Sequence, residues 1–338
     1  MSMASDISTI SSSLNAIKNA IIDKGVTPLG DITTYAEAIT QIQGDESGVE
    51  TNKYGCTISN LLGDVDVNGK LQIPADTSED IVFNGVKDVG DYALYYKYSQ
   101  NLNLTHGVSF PDLESVTGMY AMGYCFEYTR ITSISLPKLK TVNAINGMDQ
   151  LCRGTAITSF SMPEVTSITG IYAGRGLCNG CTYLTSFSAP KLTTANGNYC
   201  LYYLLQGTKI TSFSLPELVE SVGNYSLGYS CYNCTLLETV YLPKLSDISG
   251  QWTLGSAFYN CLKVKDIYFN GLTTTSFGSY VNQFNNMFGS TTGSAATGGC
   301  TVHFPSNLSS TISGLTGYPT FGGDSNYINL AFDLPATT

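Results

Sequence analysis

Residues 131–142 of the chain are ITSISLPKLKTV, and residues 157–168 repeat that pattern as ITSFSMPEVTSI. The motif recurs along the chain, and its central residue returns every 26 or 27 positions. A fixed period of this length is typical of a solenoid, in which each unit forms one coil. We call the set of equivalent positions in successive units a column. The central column contains Asn84, Pro111, Pro137, Pro163, Pro190, Pro216, Pro243 and Asn270.

The positions around the central column are apolar in a regular order. In one unit they are Ile131, Ile134, Leu136 and Leu139, which lie six, three and one residues before Pro137 and two residues after it. The alternation before the proline predicts a short strand with one face inward. Proline ends this strand because it has no N–H group to donate to the sheet. We therefore predict a mostly β fold, a leucine-rich-repeat-like solenoid of about eight coils with a parallel sheet.

The position directly after the central column is charged, and its sign alternates from unit to unit. Stacked coils would place these side chains in one line, with unlike charges adjacent. Exposed ion pairs contribute about 0.5 kcal/mol each, so we expect the row to favour the register of the coils more than their stability. The row consists of Asp112, Lys138, Glu164, Lys191, Glu217 and Lys244.

Composition argues against several classes of function. The net charge is −10, only 12% of the residues are charged, and the 16 basic residues are not clustered. Nucleic-acid binding needs a basic stripe, so it is not expected, and neither is attraction to an anionic membrane. No segment has the roughly 18 apolar residues of a membrane span. Residues 1–20 lack the basic start and apolar run of a secretory signal, which favours a cytosolic protein or one released by lysis.

No catalytic arrangement is evident in the sequence. The two histidines, His106 and His303, belong to no Ser/His/Asp pattern. There is also no paired-carboxylate motif and no phosphate-binding loop. We therefore expect neither enzymatic activity nor a cofactor.

The chain has ten cysteines, and two Cys-x-x-Cys pairs suggest a zinc or redox site. These pairs are Cys178 with Cys181 and Cys231 with Cys234. Other units have leucine, glycine or phenylalanine at the same positions, which is typical of a core column. The favoured interpretation is that most of the cysteines are buried thiols, and no metal is expected.

Residues 64–69 are DVDVNG, which resembles the opening of a calcium-binding loop. The glutamate expected at the twelfth position of such a loop is Ala75 here. The other interpretation is a β-hairpin, with Val65 and Val67 alternating into an Asn-Gly turn. The hairpin is favoured because the last calcium ligand is missing.

An aromatic column is the candidate binding surface. Nine residues after the central column most units have an aromatic side chain, and a glycine usually stands two residues earlier. A row of stacked rings could bind a glycan or an apolar protein surface. The alternative is that the rings only cover the extra residues of each coil and direct their hydroxyls to water. The candidates are Tyr120, Tyr172, Tyr199, Tyr225, Trp252 and, one position later, Tyr280.

Residues 1–44 differ in kind from the repeats. Apolar residues there follow a spacing of three and four over about two heptads, which predicts a helix with a coiled-coil seam. A second short helix is predicted near residues 33–42. Because helices this short are not stable alone, the seam should pack on the second helix, on copies of itself as in a homotrimer, or on another protein. The seam residues are Ile7, Ile10, Leu14, Ile17 and Ile21.

These patterns divide the chain into four segments. Solenoids need caps because each end exposes an apolar face and an open strand. The segments are a helical anchoring or oligomerisation module at 1–44, a linker and N-terminal β-hairpin cap at 45–83, the solenoid at 84–289 and a C-terminal β cap at 290–338.

The repeats resemble the BspA-type leucine-rich repeat, whose units pair a Tyr-Ala-Phe-x-x-Cys stretch with Leu-x-x-Ile-x-Ile-Pro. Residues 257–261, AFYNC, are the closest match to the first stretch. Each unit is three or four residues longer here, in stretches such as 250–255, GQWTLG. The resemblance covers about two-thirds of the chain. It implies a solenoid, and for function it implies a surface interaction module.

Residues 14–26, LNAIKNAIIDKGV, with residues 35–39, YAEAI, resemble a short N-terminal module of virion proteins of tailed bacteriophages. The chain as a whole resembles proteins of tailed gut phages (crAss-like, or infecting Bacteroidales) that join this module to BspA-type repeats. That resemblance implies a virion protein, assembled in the host cytoplasm, that docks on other virion proteins through its N-terminal helices. Its solenoid would bind a protein or glycan of a host or mucosal surface. The alternative is a bacterial surface adhesin.

Overall fold

The computed structural model describes residues 49–51, 57–59, 80–83, 86–289, 299–323 and 325–337. The predicted N-terminal helices with their seam residues, and the 64–69 loop, lie outside these ranges. The first described elements are β1 (Val49–Thr51) and β2 (Thr57–Ser59), which pair in antiparallel fashion. This pair falls within the segment expected to form an N-terminal β cap.

Each coil of the solenoid contributes one short strand to a first series of parallel strands. The strands of this series come directly before the central column, as the alternating pattern predicts. Hydrogen bonds join the first three, the next two and the last five. The series consists of β3 (Ile81–Val82), β5 (Gly107–Ser109), β7 (Ser133–Ser135), β9 (Ser159–Ser161), β11 (Ser186–Ser188), β13 (Ser212–Ser214), β14 (Thr239–Tyr241), β15 (Asp266–Tyr268), β16 (Cys300–Pro305) and β17 (Ile328–Leu334).

The register of this series aligns the apolar columns. Phe160 is opposite Phe187, and Val240 is opposite Ile267. In β7 and β9 the middle residue is buried between two exposed serines. Since one face of each strand points inward, every coil adds one large apolar side chain to a continuous core, and each such burial contributes about 1.5–3 kcal/mol.

A second series of parallel strands follows the central column, where the sequence pattern predicted no strand. Its strands have only two residues each, and in each of them the second residue is buried. Five of them form one sheet in chain order, and single bridges extend it from Thr194 to Glu220 and Asp247. The strands are β4 (Asp88–Val89), β6 (Ser115–Val116), β8 (Thr141–Val142), β10 (Ser167–Ile168) and β12 (Thr194–Ala195).

The third side of each coil is a run of overlapping turns, such as residues 198–208, and we call this side the turn face. Its backbone N–H groups donate alternately to the next coil and within their own coil. The N–H of Tyr199 donates to the carbonyl of Asn224 at 2.8 Å, whereas the N–H of Cys200 donates to the carbonyl of Gly197 at 3.1 Å. This alternation satisfies the backbone without a helix, so the extra residues of each unit form a regular surface.

The C-terminal segment continues the solenoid. Strand β16 pairs in parallel with β15, and β17 pairs in parallel with β16. A 3₁₀ turn, Ser306–Leu308, and a short helix, α1 (Ser309–Ser313), lie between these two strands. The fold is therefore a mostly β, parallel-sheet solenoid of about nine turns, which confirms the predicted fold class and adds about one turn to it.

The predicted row of alternating charges is present as separate ion pairs. Lys138 contacts Asp112 at 2.8 Å, Lys191 contacts Glu164 at 2.7 Å and Lys244 contacts Glu217 at 2.6 Å. All six side chains are exposed, so each pair contributes little to stability. Two further pairs that the row does not include join Lys140 with Glu114 and Lys265 with Glu238.

Candidate functional site

Five of the six candidate aromatic residues lie in one column of the turn face, which we call the ladder column. Tyr199 is at its centre and stacks on Tyr172 and on Tyr225, with ring centroids 5.1 Å apart in both cases. Trp252 continues the stack at 5.6 Å from Tyr225. The ladder column consists of Tyr92, Tyr120, Asn146, Tyr172, Tyr199, Tyr225 and Trp252.

The structure changes the membership of this column at three places. Tyr92 stacks on Tyr120 at 5.3 Å, although the spacing rule did not include Tyr92. Asn146 interrupts the stack between Tyr120 and Tyr172. Tyr280 lies outside the stack, because the N–H of Leu254 donates to the carbonyl of Gln283 and this register aligns Asn282 with Trp252. The exposed Tyr280 ring contacts no other described aromatic ring.

Every residue of the ladder column has a left-handed backbone. The φ angles of Tyr172, Tyr199 and Tyr225 are 57°, 58° and 55°. Such a conformation costs an L-residue about 1–2 kcal/mol. Hydrogen bonds between coils and ring stacking offset that cost, and the left-handed backbone holds the rings in a fixed direction.

The glycine two residues before most ladder positions allows the coils to approach closely. A Cβ atom at Gly197 or Gly223 would overlap the carbonyl oxygen of the equivalent residue in the preceding coil. Gly118, Gly170 and Gly250 would meet the preceding coil in the same way. The glycines noticed in the sequence therefore have a structural role, which is to bring the backbones of successive coils into contact.

Further tyrosines, which were not among the residues predicted from the sequence, widen the aromatic surface. Tyr96 stacks on Tyr124 at 4.6 Å, four residues after the ladder column. Tyr203 and Tyr229 hold the same position in later coils and lie 5.0 Å apart. The signal that could have identified them is the four-residue spacing of tyrosines within a unit, since left-handed residues recur at that spacing on the turn face.

A buried ion pair lies beside the ladder column. The Arg175 guanidinium donates two hydrogen bonds to the Asp149 carboxylate, at 2.8 Å and 2.6 Å, and a third to the Tyr124 hydroxyl at 2.9 Å. Burial raises the pKa of Asp149, although the hydrogen bonds from Arg175 act in the opposite direction. Arg175 also lies over the ring of Tyr172, with its central carbon 4.4 Å from the ring centroid.

A second arginine belongs to the same cluster. Arg153 donates to Gln150 at 2.6 Å and to Glu127 at 3.2 Å. Burial raises the pKa of Glu127, and Arg153 opposes this effect. The two arginines are thus each matched by a carboxylate, so the cluster has no net charge.

A surface hollow of about 300 Å³ opens between these arginines and the tyrosines of the following coil. Its wall contains Arg153, Arg175, Asn179, Tyr202 and Gln206. The hollow exists because two successive coils lack an aromatic ring at the repeat position that Tyr124 and Tyr203 hold in other coils. Those two coils have Gln150 and Gly176 there.

The described cysteines lie in the core, as expected of core columns. Cys178, Cys181, Cys231 and Cys234 are each fully buried free thiols. Cys181 donates to the carbonyl of Cys152 at 2.9 Å, and Cys234 donates to the equivalent carbonyl of Leu205 at 3.0 Å. Within the described part of the chain, no group of three or more His, Cys, Asp or Glu side chains is placed to hold a metal ion. No helix in that part is both long and apolar enough to cross a membrane.

Comparison with known proteins supports the fold. A family model described as a BspA type leucine rich repeat region matches in six copies, over residues 120–249 and 149–288. A solved leucine-rich repeat protein from Bacteroides ovatus is 14% identical over 83% of this chain and 96% of that one, with a TM-score of 0.19. A TM-score this low does not establish a common overall shape. No curated protein matches the sequence.

Proposed function

The chain belongs to the BspA type leucine rich repeat family, and from this premise we propose that it is a non-enzymatic binding protein whose turn face contacts the ligand. The observation that supports this is the aromatic ladder. Its rings are half-buried, stacked and held by a left-handed backbone. Rigid rings lose little conformational entropy on binding, which favours affinity.

The other faces of the solenoid offer less to a ligand. The outward positions of the first series are mainly serines, for example Ser133, Ser159 and Ser212. Small hydroxyls form a hydrated surface with few large contacts, whereas interfaces are enriched in tyrosine, tryptophan and arginine. On the described residues the turn face combines all three of these residue types.

The test is binding of the full chain to host cells or mucus, compared with a variant of the ladder. Tyr172→Asn with Tyr199→Asn removes two rings but keeps a residue type that the column already accepts at Asn146. We expect binding to weaken by about tenfold or more. The control is Ser159→Ala with Ser212→Ala on the first series, which should bind as the parent does. Equal binding by the ladder variant would assign the rings a structural role only.

We propose that the protein belongs to the virion of a tailed phage, where its N-terminal helices dock on other virion proteins. The chain would be present there either as a homotrimer or as single copies. This part rests on the residue 14–26 and 35–39 motifs. Mass spectrometry of purified phage particles tests it, and consistent absence of the chain from virions would contradict it. The alternative, a bacterial BspA-type surface adhesin, fits the repeats equally well and predicts the protein on the cell surface instead.

A further inference from the structure

We propose that the hollow beside Arg153 and Arg175 is a binding subsite for one or two units of a neutral saccharide. The proposal deepens the proposed function, on which it rests, by naming the ligand class and the place where it binds. Ligand pockets in proteins have volumes of roughly 300–1,000 Å³. The hollow, at about 300 Å³, is at the lower end of that range and suits a sugar ring rather than a long chain.

The lining has unused hydrogen-bonding groups. The side-chain amides of Asn179 and Gln206 line the hollow and form no hydrogen bond with any described residue. Each amide offers an acceptor oxygen and two donor hydrogens. Planar amides of this kind match the alternating donor and acceptor roles of sugar hydroxyls.

Aromatic rings border the hollow on the side of the following coil. The rings of Tyr202 and Tyr203 are 4.2 Å apart in an edge-on arrangement, and Tyr202 also meets Tyr199 at 5.3 Å. An aromatic face is apolar with a negative potential, so it packs well on the C–H face of a sugar ring. The same ligand could therefore place one face on tyrosine and its hydroxyls on the amides.

The charge of the hollow favours a neutral ligand over an anionic one. Arg175 is matched by Asp149 at 2.6 Å, and Arg153 is matched by Glu127 at 3.2 Å. The guanidinium groups can still donate to hydroxyls from their exposed edges, because the side chains are 26% and 36% exposed. A chain with a net charge of −10 would in addition repel an anionic glycan.

A protein partner fits the hollow less well. Protein interfaces centre on a large apolar anchor in a desolvated pocket. Here most of the lining is amide, guanidinium and phenol, and no aliphatic side chain contributes to it. The observations therefore favour the saccharide, and a protein partner becomes an outcome of the test.

The experiment uses the full chain on an array of neutral glycans, terminated by hexoses or N-acetylhexosamines, together with sialylated and sulfated glycans. The best neutral glycan is then titrated by calorimetry. The test variant is Gly176→Tyr, which places a ring in the gap as Tyr124 and Tyr203 do in other coils. Gly176 already has a left-handed φ of 58°, the conformation in which those tyrosines lie.

The matched control is Gly207→Asn, another left-handed glycine of the turn face, at a position where later coils have Asn233 and Asn260. We expect Gly176→Tyr to weaken neutral-glycan binding by about tenfold or more, and Gly207→Asn to change it by less than about twofold. Circular dichroism checks the fold of both. If the Gly176→Tyr variant does not fold, the double variant Asn179→Ala with Gln206→Ala is used in its place. The expected weakening of neutral-glycan binding is the same.

Three outcomes would overturn the inference. They are the absence of any neutral glycan among the ligands, a preference for sialylated or sulfated glycans, and unchanged binding by the folded hollow variant. Cell binding that survives glycosidase treatment but not protease treatment would indicate a protein partner. If the ladder variant loses cell binding while Gly176→Tyr keeps it, the proposed function stands and the saccharide subsite does not.

Discussion

Arg175 forms a two-point ion pair with Asp149 of the preceding coil, and the Asp149 carboxylate is completely buried. The pair joins two coils at the edge of the hollow, next to the ladder column. A buried pair of this kind adds little net stability compared with apolar residues, but loss of one partner is costly. The main effect of the ion pair is therefore to fix the positions of the Tyr124 hydroxyl and of the Arg175 guanidinium at the hollow. Its contribution to the stability of the fold is small.

We predict that Arg175→Met lowers the free energy of unfolding by about 3–5 kcal/mol at pH 7, because it leaves a buried carboxylate without its cation. Burial already raises the pKa of Asp149 in the folded protein, and loss of Arg175 raises it further. A carboxyl with a raised folded-state pKa contributes stability that is present below its unfolded pKa and is lost as the pH rises through the folded value. The variant should thus be less destabilised in acid than at neutral pH.

Urea unfolding at several pH values measures this effect. The control is the double variant Asp149→Asn with Arg175→Met, in which the carboxylate is absent. Its stability difference from the parent should depend much less on pH. Parallel pH profiles for the single and double variants would contradict the assignment to Asp149.

The left-handed backbone of the ladder makes a second prediction. Tyr225→Asn should cost about 1–3 kcal/mol, because it removes two stacked contacts but keeps a residue that tolerates positive φ. Tyr225→Val should cost about 1–2 kcal/mol more, since a β-branched side chain is strained at the φ of 55°. Thermal unfolding compares the two, and equal costs would show that the backbone relaxes.

The glycine column makes a third prediction. Gly223→Ala should destabilise the protein by at least about 2–3 kcal/mol, because the added Cβ overlaps the backbone of Gly197 and the two coils must separate. Gly207→Ala is the control, since no atom lies within 4 Å of its Cβ position. It should cost only the backbone strain of about 1–2 kcal/mol. Similar melting temperatures for the two variants would contradict the close-approach role.

The buried thiols make a fourth prediction. Burial raises the pKa of Cys200 and of Cys300 to about 12, and the nine described cysteines are all buried. The thiolate is the reactive form. The pKa of Cys181 is lowered, chiefly by a hydrogen bond with Cys178, and the pKa of Cys234 is lowered although burial opposes this. All nine are nevertheless buried, so a thiol reagent should label them only after unfolding. Mass spectrometry of protein treated under native conditions checks this. Rapid labelling of Cys181 or Cys234, the two thiols whose pKa is lowered, would restore the redox interpretation of the Cys-x-x-Cys pairs.

Local patterns were sufficient to predict the solenoid. The alternation of Ile134 with serines requires one face of a strand to be inward, and the constant spacing of residues such as Pro137 and Pro163 requires equivalent strands to stack. Both rules act over a few residues or one repeat, so they can be seen in a single sequence. The five predicted aromatic residues that stack in the ladder column followed from the same spacing.

The sequence by itself therefore determined the coil, its period, its apolar columns and most of the aromatic row. Only the tertiary structure decided that Tyr92 joins the ladder and Tyr280 does not, because the backbone conformation shifts the column by one or two residues. It also decided that Asp149 meets Arg175 and that the missing rings at Gln150 and Gly176 leave a hollow. These relationships depend on contacts between side chains of neighbouring coils, and the periodicity of one unit does not contain them.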